Sequence, residues 1–307
     1  MARKAQSNVE YIFGDITIAC TNTDRVMFPD VGITKGELIG YYHRIADAML
    51  PELRERPISV ERFTKGVDKG GFFQKHAQKH FPEWIERVEL GSKTRVEYPL
   101  VNSTAALVYM ANQGSVVFHV WTSRRDAPEH PDLLVFDLDP AEGKFDIVRV
   151  TALRLRELFG ELGLTAFVKT TGGKGLHVVA PLDGRASYGE VMALCNRIAQ
   201  LLVARHPDDV TLEFYKKDRK GRLYLDVMRN ALGATIVAAY SVRGRPGAPV
   251  SVPIEWREVE DGKLRPDGFH LREIQKRLEK IGDPWSELRA RPGSVDDADA
   301  ALDRLKK

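Results

Sequence analysis

The sequence predicts an α/β protein with two antiparallel or mixed sheets and flanking helices. Three observations carry that expectation. Leu133 to Pro140, LLVFDLDP, alternates Leu134, Phe136 and Leu138 with Val135, Asp137 and Asp139, the period-2 pattern of a strand. Two stretches open with a capping box and continue as an apolar helical stripe. Thr34 and Glu37 precede Leu38, Tyr41, Tyr42, Ile45 and Met49; Ser187 and Glu190 precede Val191, Leu194, Cys195, Ile198, Leu201 and Leu202. Finally, an extended run from Thr165 to Thr171 breaks into Gly172-Gly173-Lys174-Gly175 and resumes as Leu176 to Leu182.

Taken in order, the first helix should run to about Leu50, before Pro51. Arg56 to Gln74 reads as strand, turn, strand, punctuated by Gly66, Gly70 and Gly71. Phe72 and Phe73 are adjacent, so on a strand they face opposite ways. One should be core, the other half-exposed or a stacking platform. His76 and His80 have the i, i+4 spacing but no third ligand nearby, which makes them surface histidines. Asn102 to Gln113 is a helix ended by Gly114, and Ser115 to Trp121 a strand carrying His119 in phase with Val117 and Trp121. By itself His119 reads as a packed histidine. Arg124 to Pro131 is a polar, Pro-bearing loop, and residues 115–131 are the expected seam between subdomains. A helix from Ile147 presents Leu155, Leu158, Phe159 and Leu162. Pro207 stops the Ser187 helix. Thr211 to Tyr215 and Leu223 to Val227 read as a hairpin around the basic loop KKDRKGR, with Tyr224 and Asp226 sharing a face. Ile236 to Val242 is a strand, Phe269 to Ile281 a helix capped by Gly282, and the charged tail after Asp283 partly helical.

At 307 residues the chain can bury a sizeable core. A composition 43% hydrophobic and 29% charged is that of a globular protein. The apolar runs are too short to span a bilayer, and MARKAQSNVEY lacks the apolar run of a secretory signal. Cys20 and Cys195 are the only cysteines, so no disulfide framework is implied. A cytoplasmic, nucleoid-associated location without a membrane partner is expected. A net charge of +3 does not by itself indicate a nucleic-acid partner.

Asp137 and Asp139 emerge on one strand face, roughly 6–7 Å apart. Such carboxylates repel unless a cation lies between them, and all-oxygen donors suit Mg²⁺ or Mn²⁺. A bare DxD is common on surfaces; this one ends a strongly apolar strand and is followed at once by Pro140. Asp226 ends another apolar strand, a position where a lone Asp is ordinarily a turn former. The Gly172–Gly175 loop lets backbone N–H groups approach an anion, although it is not a Walker A loop. Three strand-end carboxylates and a Gly-Lys loop ending in His177 suit phosphoryl or nucleotidyl transfer, in which two divalent ions about 3.5–4 Å apart do the activation.

VFDLDP, KTTGGKGLHVVAPL, YLDVMRN and ATIVAAYSVRGRPGAPVSVPIEW, in that order, resemble the polymerase domain of bacterial DNA ligase D, of the archaeo-eukaryotic primase superfamily. The resemblance extends from about Thr21 to about Leu278. It implies a primase-polymerase fold with a catalytic domain over 21–282, between an N-terminal extension (1–20) and a charged tail (283–307). It implies that Asp137, Asp139 and Asp226 bind two Mn²⁺ or Mg²⁺ ions, and that Thr171, Gly172, Lys174 and His177 contact the incoming nucleotide's phosphates. His119 would be a further nucleotide contact, Arg243 would face the triphosphate, and Phe72 and Phe73 would stack on bases. Arg25 and Lys35 would hold a downstream 5′-phosphate, with Arg25 standing where lysine is common, a change of geometry at constant charge. The implied activity is templated gap filling and end extension in double-strand break repair by end joining, using ribonucleotides in preference to deoxyribonucleotides. The implied partners are gapped or end DNA, a Ku-like protein and a DNA ligase. The sequence shows no ligase or phosphoesterase module, so the chain is either an excised domain or a free-standing polymerase; Met1 and the charged tail past residue 283 favour the second. The rival readings are a primase, an end-bridging module without chemistry, and a metal-dependent nuclease.

Overall fold

The computed structural model describes residues 9–91, 94–140 and 145–305. Residues 1–8 of the expected N-terminal extension and 306–307 of the tail lie outside the described residues. The strands and helices run β1 (Val9–Phe13), β2 (Ile16–Cys20), β3 (Val26–Phe28), β4 (Ile33–Thr34), α1 (Lys35–Arg44), α2 (Ala46–Leu53), β5 (Ile58–Arg62), β6 (Phe72–Gln74), β7 (Arg87–Leu90), β8 (Val96–Pro99), α3 (Thr104–Asn112) and β9 (Ser115–Trp121). There follow β10 (Ser123–Arg124), β11 (Ala127–Pro131), β12 (Leu133–Asp139), α4 (Phe145–Glu161), β13 (Phe167–Thr170), β14 (Leu176–Pro181), α5 (Tyr188–Arg205), β15 (Val210–Thr211), β16 (Leu223–Asp226), β17 (Thr235–Val237), β18 (Pro253–Ile254), α6 (Trp256–Glu260), α7 (Ile274–Ile281) and α8 (Val295–Leu305). They form two compact units. The first takes the chain up to Val120, Val237–Ser251 and Phe269–Lys280; the second takes Trp121–Ile236, Val252–Gly268 and the chain from Ile281.

In the second unit one sheet has the order β15-β16-β12-β14-β13-β18, with β12 near its middle. β12 runs antiparallel to β14, from Leu133↔Pro181 to Leu138↔Leu176, and to β16, with Asp137 opposite Asp226. Its alternation sorts the side chains as the sequence indicates. Phe136 meets Phe159 of α4 edge-on, ring centroids 5.9 Å apart, and Asp137 and Asp139 take the other face. β16 ends at Asp226, so beyond it the Asn230 side chain completes the ladder. Its Oδ1 accepts from Val135 N at 2.9 Å and its Nδ2 donates to Val135 O at 2.7 Å. Gly175 is required by sterics, since a Cβ there would lie 1.9 Å from the Leu138 carbonyl oxygen. α8 packs on α5, where Arg197 ion-pairs with Asp299 and Asp303.

In the first unit β5 pairs antiparallel with both β6 and β9. The Thr34/Glu37 capping box is complete and starts α1, as the Ser187/Glu190 box starts α5. Tyr42 of α1 packs edge-on against Phe118 of β9 at 5.0 Å, and both are buried.

Five expected elements differ. The first helix stops at Arg44, and α2 continues through Pro51; the bond that proline cannot donate would go to the carbonyl of Asp47, an exposed residue. Residues 124–131 are the β10/β11 hairpin rather than a loop, since a short edge strand tolerates Pro128. β15 and β16 are parallel, with Val210 opposite Leu223, rather than a hairpin. A 3₁₀ turn at Lys216–Asp218 and positive φ at Lys220 and Gly221 return the chain to its starting side, where Leu223 N donates to Asp209 O. β17 ends at Val237, because the chain turns at Tyr240 with φ +64°. The helix expected from Phe269 starts at Ile274; Val250 N donates to Phe269 O and Leu271 N to Ala248 O, which ties the start of that stretch to residues 248–250, and a turn with Glu273 N donating to His270 O precedes the helix.

Candidate active site

The strand ends of the second unit bring Asp137, Asp139 and Asp226 onto one sheet face. Asp137 is directly opposite Asp226, and Asp139 opposite Tyr224. Asp137 is buried, Asp226 half-buried and Asp139 exposed. Arg229 Nε donates to Asp137 Oδ2 at 3.0 Å, and His177 Nε2 lies 3.4 Å from Asp137 Oδ1. Burial opposes the Asp137 charge, but His177 and the Arg229 guanidinium hold its carboxyl well below the usual range. Burial pushes His177 down to about 4, helped by the charge of Lys169, so it is neutral at pH 7. Asp226 moves the other way: burial and the Asp137 charge raise its pKa, against a hydrogen bond at 2.8 Å from Met228 N. Like charges facing one another are the tension a divalent cation relieves.

Among the described residues, no group of three or more His, Cys, Asp or Glu side chains is gathered closely enough to hold a metal ion as it stands. The donor chemistry nevertheless fits one. Asp137 Oδ1 is buried without a hydrogen-bond partner, and the three carboxylates are the hard oxygen donors that Mg²⁺ and Mn²⁺ take. Arg229 would share Asp137 with such an ion.

The glycine loop is closed by Thr171, whose Oγ1 accepts from Gly175 N at 3.2 Å. Gly172 takes φ +63°, and Lys174 is exposed at the tip. His177, expected among the phosphate contacts, is buried and directed at Asp137.

The other expected site residues belong to the first unit. Phe72 and Phe73 are 51% and 46% exposed, so neither is core, although one was expected to be on strand alternation alone. The Arg62 guanidinium lies 5.6 Å over the Phe72 ring, and Phe73 meets the His119 ring edge-on at 5.3 Å. His119 Nε2 is 2.9 Å from Glu61 Oε1. That contact, with the charges of Arg243 and Arg245, lowers the Glu61 pKa against the effect of burial. Lys35 N donates to Arg25 O at 2.7 Å, which ties the two cationic residues together. The Lys35 ammonium is buried, donating to Thr21 O and Asn112 Oδ1, both at 2.8 Å. Burial brings its pKa down to about 8, and the Arg25 charge adds to the fall. Arg25 donates to Thr64 O. His76 and His80 are exposed, as expected.

Glu61, Asn112, Arg229 and Asn230 were not singled out from the sequence. Arg229 and Asn230 had a signal, since both lie in the YLDVMRN block. Glu61 and Asn112 had none, because strand and helix packing, not spacing along the chain, brings them to His119 and Lys35.

A mixed α/β fold with paired strand-end carboxylates beside a glycine-lysine turn is that of a primase-polymerase domain. The solved polymerase domain of ligase D from Mycobacterium tuberculosis, in complex with DNA, superposes with a TM-score of 0.85 at 32% identity, covering 90% of this chain and 99% of that one. The chain belongs to the LigD primase-polymerase domain family, whose model matches residues 34–285. It is 37% identical over 277 residues to the multifunctional non-homologous end joining protein LigD of Pseudomonas aeruginosa, and 36% identical over 283 residues to that of Mycolicibacterium smegmatis. These alignments take in 88% and 89% of the chain but 32% and 36% of those proteins, so it spans about a third of their length. No helix of the described residues is long and apolar enough to cross a membrane.

Proposed function

We propose that the chain is a metal-dependent, template-directed nucleotidyltransferase that fills gaps and extends DNA ends in end-joining repair. The observation that carries this reading is the register of Asp137 opposite Asp226, with Asp139 on the same face, in a chain of the LigD primase-polymerase family. The reaction is in-line attack of a primer 3′-hydroxyl on the α-phosphate of a nucleoside triphosphate, with pyrophosphate leaving. Bound Mn²⁺ or Mg²⁺ would activate the hydroxyl and neutralise charge on the leaving group. Asp137, Asp139 and Asp226 would hold these ions. Arg229 keeps Asp137 ionised and oriented, with His177 packed beside it.

From the resemblance, Thr171, Gly172, Lys174, His119 and Arg243 take the triphosphate, and Phe72 and Phe73 stack on bases; His177, buried against Asp137, stays with the carboxylates. Stacking accepts any base, which suits a polymerase indifferent to sequence. Arg25 and Lys35 take a downstream 5′-phosphate. Two adjacent cations, one buried and held only by neutral oxygens, are the electrostatic counterpart of a phosphate dianion. Ribonucleotide preference, a Ku-like and a ligase partner, and a nucleoid-associated cytoplasmic location belong to the same proposal. The test is Asp139→Ala and Asp226→Ala in a primer-extension assay with Mn²⁺, beside DNA binding by anisotropy. Both variants should lose incorporation and keep binding; near-full incorporation by either sinks the assignment.

A further inference from the structure

The segment that follows β15 carries an aromatic surface that the reading above leaves unused. Phe214 and Tyr215 are each 65% exposed. The Phe214 ring lies 6.1 Å from that of Tyr224, nearly perpendicular to it. Tyr224 is opposite Asp139 in the β12/β16 register and two residues from Asp226, so all three side chains emerge on one face. The aromatic group therefore borders the carboxylates within the second unit.

Arg219 fixes the group in place. Its Nε donates to Glu213 O at 3.1 Å and an Nη to Phe214 O at 2.6 Å, while its guanidinium stacks 4.4 Å over the Tyr224 ring. Tyr224 is thus covered, and Phe214 and Tyr215 are turned outward. Lys216, Lys217 and Lys220 follow directly and are exposed. Paired exposed rings beside a run of lysines match a polyanion that carries flat apolar groups. The ring planes of Phe214 and Tyr215 stand at 84°, centroids 5.5 Å apart. The parallel bases of a duplex cannot lie flat on both rings; the splayed bases of an unpaired strand can.

We propose that Phe214 and Tyr215 form a stacking platform for the unpaired bases of a single-stranded overhang, with Lys216, Lys217 and Lys220 contacting its phosphates. The proposal rests on the nucleotidyltransferase reading for its substrate class and adds a subsite to it. The test uses the full chain, in chelator, with two fluorescent probes: a 5′-phosphorylated duplex bearing an unpaired thymidine overhang, and the same duplex blunt. In the variants Phe214→Ala/Tyr215→Ala and Phe214→Leu/Tyr215→Leu, overhang affinity should fall about 10-fold or more. Blunt-duplex affinity should hold, and Phe214→Trp should retain overhang binding. The leucine pair removes the π-faces but keeps apolar bulk, and both positions are exposed, so folding is not at stake. Overhang affinity unchanged in both double variants overturns the proposal. So does self-association of the unaltered chain that the variants abolish while overhang affinity stays the same, since the patch is then a protein interface. Primer extension by the unaltered chain separates the two readings. Aromatic-dependent overhang binding without incorporation keeps the platform and sinks the polymerase; incorporation with aromatic-independent binding does the reverse.

Discussion

In the second unit the charges at the strand ends are set against one another; in the first, Arg25 and Lys35 are set against neutral oxygens. Asp137 has Arg229 and His177 beside it and Asp226 directly opposite, with Asp139 on the same face. Lys35 is held by a carbonyl and an amide oxygen, and among the described residues no carboxylate lies within ion-pair distance of Lys35 or Arg25. A surplus of negative charge on rigid strands invites a divalent cation, and a buried cation without a counter-ion invites an anion. In the proposed reading the carboxylates take the divalent ion and the two cations the 5′-phosphate.

The contrast breaks most completely at the carboxylates. Asp226→Asn keeps the shape, removes one charge, and should cost incorporation more than about 100-fold, read by single-turnover extension with Mn²⁺; DNA affinity should stay the same. In the first unit, Lys35→Met keeps the stem and removes the charge. It should abolish the advantage of a 5′-phosphate over a 5′-hydroxyl end, about tenfold in Kd, in paired anisotropy titrations. Stability reports the same buried charge with a definite sign. A lysine whose folded pKa is about 8 rather than 10.5 costs stability below pH 8, and that cost is released as pH rises from about 8 to 10.5, where only the unfolded chain still binds the proton. The 5′-phosphate advantage should run oppositely, present below pH 8 and fading above it, and Lys35→Met should flatten both profiles. Asn112→Asp gives Lys35 the carboxylate it lacks, and should weaken 5′-phosphate discrimination about threefold while raising thermal stability. The smallest effect belongs to Glu61→Gln, which leaves His119 a hydrogen-bond partner but no charge. A few-fold fall in incorporation, with an altered pH profile, is expected.

Much of this was legible in the sequence because it depends on local periodicity. The alternation in LLVFDLDP placed Asp137 and Asp139 on one face, and both capping boxes formed as spelled. What was not legible depends on where the chain returns. The parallel course of β16 comes from a 3₁₀ turn and left-handed residues inside a loop that looked like a hairpin tip. Tyr240 ends β17 by a backbone conformation that no side chain announces. Phe72 and Phe73 read as one core and one surface residue under alternation, and β6 is too short and too near an edge to bury either. Glu61 reaches His119, and Asn112 reaches Lys35, across 58 and 77 residues of chain.

The central claim is that the negative face and the buried cation serve one reaction on one DNA substrate. The direct measurement is extension of a gapped duplex with Mn²⁺, with and without the downstream 5′-phosphate, comparing each ribonucleotide with its deoxy counterpart. The predicted result is templated addition that is faster with ribonucleotides and weaker without the 5′-phosphate. DNA bound without extension under Mn²⁺ or Mg²⁺ would contradict it and leave a chain that holds ends without chemistry.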